Sequence, residues 1–249
     1  MSIFEVKQLS KSFGGLKAIS DVTFSIERGT ISSLIGPNGA GKTTAFSLIT
    51  GFLKPDSGQV LFQDRTITGW PPFRIVNLGI ARTFQDVRVL NRLTVQENIL
   101  VGLRETHQQG FLRSILWGKD AKMKMMDKVQ QLVDYVGLKA VAHELAEDVS
   151  YAEQKLTILA RALATDPQLL LLDEPVSGLD QTSIENMMVL LQRLVKEGKT
   201  VLLVEHNMEV VIKISDYIVV LDFGKKIASG FPDAIRQNEK VIQAYLGTK

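Results

Sequence analysis

The sequence contains no cysteine, which excludes disulfide bonds, cysteine-ligated zinc and thiol catalysis and fits a reducing compartment. It also lacks any apolar run that approaches the roughly 18 residues needed for a membrane span. Residues 1–10 do not contain the apolar core of a signal peptide. We therefore predict a cytoplasmic protein that reaches a membrane only through a partner.

A strong charge of either sign is also missing. The chain has 29 Lys and Arg residues against 27 Asp and Glu residues, a net charge of +2, which does not predict a nucleic-acid partner. Hydrophobic residues make up 45% of the chain and charged residues 22%, as in ordinary globular proteins. A length of 249 residues is enough for one large domain or two small lobes.

The strongest positive signal is the segment GPNGAGKTT at residues 36–44, which matches the pattern G-x-x-x-x-G-K-[ST]. It follows the apolar run 31–35 and opens a helix-like segment, so it has the strand–loop–helix context of a P-loop. Its glycines allow backbone N–H groups to converge on an anion, and the helix N-terminus adds positive potential. Lys42 can reach the β- and γ-phosphates, and the Thr43 hydroxyl can bind Mg²⁺.

The patterns around the P-loop predict an α/β fold. Residues 3–9 and 22–26 alternate apolar with polar side chains, which is typical of half-buried antiparallel strands. From residue 169 onwards, continuous apolar runs alternate with helical patterns, as in a parallel sheet covered on both faces. Short strands over 80–84 and a helix over 183–197 are also predicted.

Polar residues follow four separate apolar strands. They are the P-loop, Gln85, the pair Asp173-Glu174 and the pair Glu205-His206. In a parallel sheet all four lie at the carboxyl edge, where open α/β sheets bind ligands. Their coincidence with a P-loop therefore predicts one phosphoryl-transfer site.

Each of these groups has a role in that chemistry. Asp173 is suited to organise Mg²⁺, and the adjacent Glu174 can orient or deprotonate the attacking water. His206 can donate a hydrogen bond to the γ-phosphate, and Gln85 can position water or the metal. Alone, His206 would be an ordinary loop histidine and Gln85 would have no interpretation. The loop aromatic Phe13 is open to two interpretations, a core side chain, which the residues alone favour, or a purine-stacking ring.

Together these motifs make the whole chain resemble the nucleotide-binding subunits of ABC transporters. LLLLDE at 169–174 and SGLD at 177–180 stand where the family has its Walker B motif and D-loop, while Gln85 and His206 stand at the Q-loop and the switch histidine. The resemblance implies that Phe13 stacks on adenine. Several further stretches resemble the ATPases of branched-chain and hydrophobic amino-acid importers: residues 13–16, 81–85, 93–98 and 241–247.

One motif departs from the family pattern. The signature usually reads LSGGQ or LSYGE/Q, whereas residues 149–153 read VSYAE. In the family this segment binds the γ-phosphate of ATP held by the opposite subunit. Ala152 in place of glycine therefore puts this contribution to the partner's site in doubt, while the chain's own P-loop site is complete.

The resemblance implies a RecA-like P-loop NTPase with an N-terminal antiparallel β layer and an inserted α-helical lobe. The expected lobes of this single domain are 1–85 and 160–230 for the catalytic core, 86–159 for the helical lobe and 231–249 for C-terminal helices. The predicted catalytic residues are Glu174, His206 and Gln85, and the predicted Mg²⁺ ligands are Thr43, Gln85 and Asp173. The predicted ATP-binding residues are Phe13, Gly36, Asn38, Gly39, Ala40, Gly41, Lys42, Thr43, Thr44, Asp173, Ser150, Tyr151, Ala152, Glu153 and Asp180.

The implied partners are a second ABC ATPase, identical or related, and integral-membrane permease subunits that dock near Gln85 and the helical lobe. The ATPase would then lie on the inner face of the cell membrane. Segment 104–128, which is basic and carries aromatic residues, is either a solvated face or a surface toward the membrane or a partner. Alternatives are the ATPase of another importer or exporter, and a regulatory subunit with low turnover. An ABC ATPase that acts on DNA or ribosomes would be expected to have tandem cassettes or a long coiled-coil arm, and a GTPase would be expected to have an N-K-x-D motif. None of these features occurs here.

Overall fold

A computed structural model describes residues 1–85, 87–103 and 119–246 of the chain. An antiparallel sheet with the strand order β2-β1-β4-β5 forms the N-terminal layer. Its strands are β1 (Ser2–Phe13), β2 (Leu16–Glu27), β4 (Ser57–Phe62) and β5 (Arg65–Thr66). The two long strands β1 and β2 pair as a hairpin, as their alternating sequences predict.

A second sheet has the order β10-β9-β3-β8-β7-β6 and is parallel except at its β10 edge. Its strands are β3 (Ile31–Ile35), β6 (Ile80–Arg82), β7 (Leu169–Asp173), β8 (Thr200–Val204), β9 (Tyr217–Asp222) and β10 (Lys225–Gly230). The three central strands β3, β8 and β7 are buried along their whole length. Such uninterrupted burial explains their continuous apolar sequences.

Helices cover both faces of this sheet. In the described residues they are α1 (Lys42–Ile49), α2 (Pro72–Leu78), α3 (Val95–Val101), α4 (Lys119–Val136), α5 (Tyr151–Leu163), α6 (Gln181–Lys196), α7 (Met208–Ile214), α8 (Pro232–Arg236) and α9 (Glu239–Leu246), with a 3₁₀ turn at Lys139–Val141. The leucines of β7 show the layering. Leu170 and Leu172 pack toward α3–α6, whereas Leu169 and Leu171 pack toward α1 and the N-terminal layer.

Capping boxes stand at the start of two of the helices. Thr94 caps α3 and pairs with Glu97, and Ser150 caps α5 and pairs with Glu153. The helices α3, α4 and α5 pack on one another around buried aliphatic side chains such as Val129. The predicted α/β fold with a parallel core is confirmed.

Three local predictions are wrong. Phe13 is the last residue of β1 and pairs with Leu16, so it does not lie in the loop. β6 ends at Arg82, because the Thr83 side chain, not a backbone group, accepts the N–H of Asp173. α6 begins at Gln181, two residues early, because Asp180 caps it.

Among the residues that the structure describes, no helix is long and apolar enough to cross a membrane. The basic segment 104–128 falls largely on residues 104–118, which lie outside the described residues. The interpretation of that segment as a partner-facing surface therefore stays a prediction.

Candidate nucleotide-binding and hydrolysis site

The P-loop connects β3 to α1 and is held closely by neighbouring backbone. Gly36 has a φ of 152°, and a Cβ atom there would lie 2.1 Å from the carbonyl oxygen of Leu221. Gly41 has a φ of 98°, and a Cβ atom there would lie 2.7 Å from the carbonyl oxygen of Ala18. Both positions therefore require glycine for conformation and for space. The ends of β9 and β2 thus fix the shape of the loop.

Lys42 begins α1 and is 9% exposed. Its Nζ donates to the carbonyl oxygens of Gly36 at 2.7 Å and Pro37 at 3.0 Å, so the ammonium is held against the loop. Burial lowers the pKa of Lys42, and the negative charges of Glu174 and Asp173 oppose this shift. A buried cation next to a nest of amide groups is suited to bind a polyphosphate.

The three residues predicted to act in hydrolysis meet at one carboxylate. Gln85 Nε2 donates to Glu174 Oε2 at 3.0 Å, and His206 Nδ1 lies 3.4 Å from Glu174 Oε1. The Glu174 side chain is 17% exposed and that of His206 is 55% exposed. The parallel order of β6, β7 and β8 brings these residues together, as the prediction of a shared sheet edge requires.

The backbone of Glu174 is held in an uncommon conformation. Its φ is 50°, a region that residues other than glycine rarely adopt. Two contacts fix it, since its N–H donates to the Val204 carbonyl oxygen at 2.9 Å and its own carbonyl accepts from Lys155 Nζ at 2.7 Å. Strain that surrounding contacts maintain is a feature of functional sites, and here it aims a carboxylate at the sheet edge.

Asp173, the last residue of β7, is buried and forms an ion pair with Arg82 at 3.1 Å. Burial raises the pKa of Asp173, and the Arg82 guanidinium acts in the opposite direction. The Oδ2 atom accepts from Arg82, whereas Oδ1 accepts no hydrogen bond from any residue in the described ranges. Asp173 therefore has one oxygen available to a cation or its water shell.

This donor set fits Mg²⁺ better than a metal held by protein alone. No group of three or more His, Cys, Asp or Glu side chains that could hold a metal is present in the part of the chain that the structure describes. Mg²⁺ is usually bound by one or two carboxylates together with waters and substrate phosphates. Thr43, Gln85 and Asp173 are the residues that would hold it beside a bound nucleotide.

The remaining P-loop positions differ in exposure. Asn38, Gly39 and Thr43 are exposed, Thr44 is half-buried and Ala40 is buried. Phe13 is 47% exposed, and the Nζ of Lys11 lies 5.6 Å from the centre of its ring. The strand that follows Phe13 borders the P-loop through Ala18, so the ring belongs to a hairpin beside the predicted site, where its predicted role in adenine binding stays a prediction.

The signature residues form the start of α5. Ser150 Oγ accepts from the Glu153 N–H at 3.3 Å and donates to Glu153 Oε2 at 2.7 Å. Tyr151 is 45% exposed and lies against Gly178, and Ala152 is half-buried. In the described residues, no hydrogen bond joins residues 150–153 to the P-loop of the same chain.

Sequence reasoning missed two buried cations that organise the site, Lys155 and Arg82, and assigned no role to the buried carboxylate of Glu205. Lys155 donates to the Glu174 carbonyl, and Arg82 binds Asp173. Glu205 is fully buried and accepts from the N–H groups of Val176 and His206, both at 3.1 Å, and burial raises its pKa. The position of Glu205 directly after β8 is visible in the sequence. The contacts of Lys155 and Arg82 are not, because they join elements that are distant in sequence.

Comparison with known proteins identifies the family to which the chain belongs. The model described as ABC transporter matches residues 19–177, and that described as Branched-chain amino acid ATP-binding cassette transporter matches residues 225–249. The chain is 38% identical to the high-affinity branched-chain amino acid transport ATP-binding protein LivG of Escherichia coli over 98% of each chain. It is also 38% identical to BraF of Pseudomonas aeruginosa, which has the same description, again over 98% of each chain.

Solved structures agree with these relatives. A nucleotide-free ATP-binding cassette from an ABC transporter superposes with a TM-score of 0.88 at 31% identity, over 99% of this chain and 100% of the other. An ATP-binding cassette in its ADP conformation has the same TM-score and identity. The resemblance predicted from the motifs is confirmed, and the chain belongs to the ABC transporter family as one of its ATP-binding, ATP-hydrolysing cassettes.

Proposed function

We propose that this chain is the ATP-hydrolysing motor of an importer for branched-chain or related hydrophobic amino acids. The assignment of ATP hydrolysis rests on the Glu174 carboxylate. Both Gln85 and His206 contact this carboxylate, at the edge of the sheet where the P-loop also lies. The solute class rests on the names of the LivG and BraF relatives and on the matched C-terminal segment.

The proposed mechanism assigns each step to residues of the site. The P-loop amides and Lys42 bind and orient the phosphates, and Thr43, Asp173 and Gln85 would hold Mg²⁺, which neutralises phosphate charge when bound. Glu174 orients a water molecule and accepts its proton as the oxygen attacks the γ-phosphorus. The bond between this phosphorus and the β,γ-bridging oxygen then breaks, and ADP leaves. His206 stabilises the negative charge that develops on the γ-phosphate. The strained backbone of Glu174 keeps the base in place.

A second subunit completes the proposed site. Each chain has one P-loop and one signature segment, so a head-to-tail dimer would place the α5 N-terminus of one copy against the nucleotide of the other. Exposed Ser150 and Tyr151 are available for such a contact. The partner is a second copy of this chain or a related cassette, and binding of ATP closes the dimer while hydrolysis reopens it.

The proposed contact with the permease is a groove of about 260 Å³ where β6, α3 and α5 meet. Its walls include Phe84 and Val101, which are 38% and 39% exposed, and Phe52 and Phe73 are exposed nearby on the core. Exposed aromatic and aliphatic side chains around a groove are typical of a protein-binding surface. Phe84 precedes Gln85, so a membrane subunit in the groove would act directly next to the Glu174 cluster and hold the cassette at the cytoplasmic face of the membrane.

We expect Val101→Glu to reduce assembly with the permease subunits several-fold while the isolated chain keeps its ATP affinity. Glutamate is larger than valine and carries a charge that docking would desolvate, whereas on the free surface this charge is solvated. Copurification of the co-expressed permease would measure the loss. Val189→Glu is the matched control, because Val189 is exposed on α6 outside the groove. Equal assembly of both variants would place the docking surface elsewhere.

We expect Phe13→Ala to weaken ATP binding about tenfold, because stacking of a base on an aromatic ring contributes about 1–3 kcal/mol. Phe13→Tyr keeps the ring and should bind within about twofold of the wild type. Titration with a fluorescent ATP analogue measures both variants. Phe223→Ala, at an exposed ring in the β9–β10 turn, controls for the loss of surface aromatic area. An unchanged affinity of Phe13→Ala would assign the ring to the hairpin alone.

The solute class is tested by uptake in the cell. Removal of the gene should abolish accumulation of labelled leucine or valine, and the wild-type gene should restore it. A Lys42→Ala gene should not restore it, because the phosphates lose their buried cation. Normal leucine and valine uptake without the gene, together with lost uptake of another solute, would keep the ATPase assignment and change the cargo.

A further inference from the structure

Arg82 ties together two parts of the nucleotide site. It is the last residue of β6, and its side chain is 9% exposed. One terminal nitrogen, Nη2, donates to Asp173 Oδ2 at 3.1 Å, and the other, Nη1, donates to Thr50 Oγ1 at 3.0 Å. Thr50 is the C-cap of α1, the helix that begins at the P-loop. One guanidinium thus joins the end of the P-loop helix to the proposed metal-side carboxylate.

Three phenylalanine rings surround the same guanidinium. Its Cζ lies 4.8 Å from the ring centre of Phe84, 5.6 Å from that of Phe46 and 5.7 Å from that of Phe52. Phe46 is buried, whereas Phe52 and Phe84 are 53% and 38% exposed and pack edge to face, with their centres 5.5 Å apart. The Phe52–Phe84 pair therefore connects the protein surface to Arg82 through direct contacts.

Packing alone does not account for an arginine at this position. Its Nε is buried and has no hydrogen-bond partner among the described residues, which costs stability. An apolar side chain of similar volume would fill a space between phenylalanine rings without desolvating a charge. An apolar side chain cannot donate hydrogen bonds to the Asp173 carboxylate and the Thr50 hydroxyl, as the planar guanidinium does.

We propose that Arg82 is a positioning residue that orients Asp173 for Mg²⁺ and makes this orientation depend on the Phe52–Phe84 pair. The hydrogen bond to Oδ2 fixes the rotation of the carboxylate and leaves Oδ1 for the metal and its waters. A contact made at the exposed rings and a metal bound at Asp173 would thus both act on the side chain of Arg82. The inference rests on the proposed function, because it takes Asp173 as the metal-side carboxylate.

Two opposite effects of Arg82 can be separated by substitution. Its positive charge beside Asp173 repels a second cation, so removal of the charge alone would strengthen Mg²⁺ binding. Loss of the planar fork would weaken it, because a lysine ammonium is a point charge and does not reproduce the geometry of a guanidinium that donates to both Asp173 and Thr50. Arg82→Lys keeps the charge and removes the fork, so it isolates the orientation effect.

The experiment measures how much Mg²⁺ tightens binding of trinitrophenyl-ATP to the purified full chain, as the ratio of affinities with and without the metal. We expect Arg82→Lys to reduce this ratio about tenfold, as for loss of a hydrogen bond to a charged group. Affinity without Mg²⁺ should stay within about twofold of the wild type. The control is Arg193→Lys, since Arg193 also lies over a ring, that of Tyr135, and pairs with Glu197, but on α6.

The link to the surface is tested in the same assay. Phe52→Leu and Phe84→Leu should each lower the Mg²⁺ ratio about threefold, because each removes a ring that lies against the Arg82 guanidinium. Neither substitution should lower the ratio further in the Arg82→Lys background, because the effects share one path. Phe52→Leu is the more specific test of the two, because Phe84 is the chain neighbour of Gln85 and Phe52 lies in a different segment.

The inference is overturned if Arg82→Lys has the same Mg²⁺ ratio as the wild type. It is also overturned if Arg82→Met has a higher ratio while Arg82→Lys does not have a lower one. If the Arg82 variants do not fold, Thr50→Val keeps Arg82 and removes its Nη1 contact, together with the hydrogen bond that the Thr50 hydroxyl donates to the Phe46 carbonyl. An unchanged ratio in that variant also overturns the inference. A wild-type chain that binds no nucleotide, with or without Mg²⁺, would contradict the proposed function itself, which is a different result.

Discussion

Glu174→Gln should leave ATP binding intact, reduce hydrolysis by about two to four orders of magnitude and favour a closed, ATP-bound dimer. The amide keeps the shape of the side chain and can still contact Gln85 and His206. It cannot accept a proton from water, so the chemical step loses its base while the binding step is unchanged. Steady-state phosphate release and size-exclusion chromatography with ATP and Mg²⁺ would measure the two effects.

Glu205→Gln separates this role from that of a nearby structural carboxylate. Glu205 is fully buried and accepts hydrogen bonds from the backbone N–H groups of Val176 and His206. Its replacement should lower thermal stability and slow turnover only modestly, without an accumulation of closed dimer. If Glu174→Gln hydrolyses ATP at a near-normal rate, the base lies elsewhere and the proposed mechanism is wrong.

The meeting of Gln85, Glu174 and His206 could be predicted because it depends on strand order alone. Each residue follows a continuous apolar run, such runs form a parallel sheet, and parallel strands end at one edge. The structure adds the distances and the unusual backbone of Glu174. Local sequence patterns do not contain the φ angle, because it is set by hydrogen bonds from Lys155 and to Val204.

The contacts of Lys155 and Arg82 could not be predicted for a different reason. Both cations lie in segments whose local pattern is that of a helix or a strand, and in such segments a charged residue is usually solvent-exposed. They become buried only because α5 and β6 pack against the carboxyl end of β7. Phe13 shows the same limit, since the position of its ring depends on how far the β1–β2 pairing continues toward the loop.

The altered signature forms the start of α5. Ala152 is the second residue of the helix, and its φ is not among the positive values, so glycine is not needed there for conformation. The capping box of Ser150 and Glu153 is intact. The backbone conformation therefore does not require glycine here. In the proposed dimer, the other reason for glycine would be a close approach of the helix backbone to a phosphate of the partner subunit.

We expect Ala152→Gly to raise the ATPase rate of the homodimer and its ATP-dependent dimerisation by about ten- to hundredfold. An alanine Cβ keeps the backbone N–H groups of α5 away from the phosphate, and loss of one hydrogen bond to a charged group costs about 1.5–3 kcal/mol. The opposing effect is smaller, since glycine destabilises a helix relative to alanine by about 1 kcal/mol. The affinity of the monomer for ATP should not change, because a monomer binds ATP through its own P-loop, which this substitution does not alter.

The concentration dependence of the ATPase rate gives both quantities in one experiment. Ala140→Gly, at an exposed alanine in the 3₁₀ turn, controls for the general cost of a glycine. A homodimer that needs Ala152→Gly for turnover indicates that this chain works beside a related cassette with an intact signature. In that heterodimer, the site built from Lys42, Glu174 and His206 of this chain would perform most of the hydrolysis. If neither rate nor dimerisation changes, Ala152 is a neutral variant, and two identical chains are sufficient for both sites.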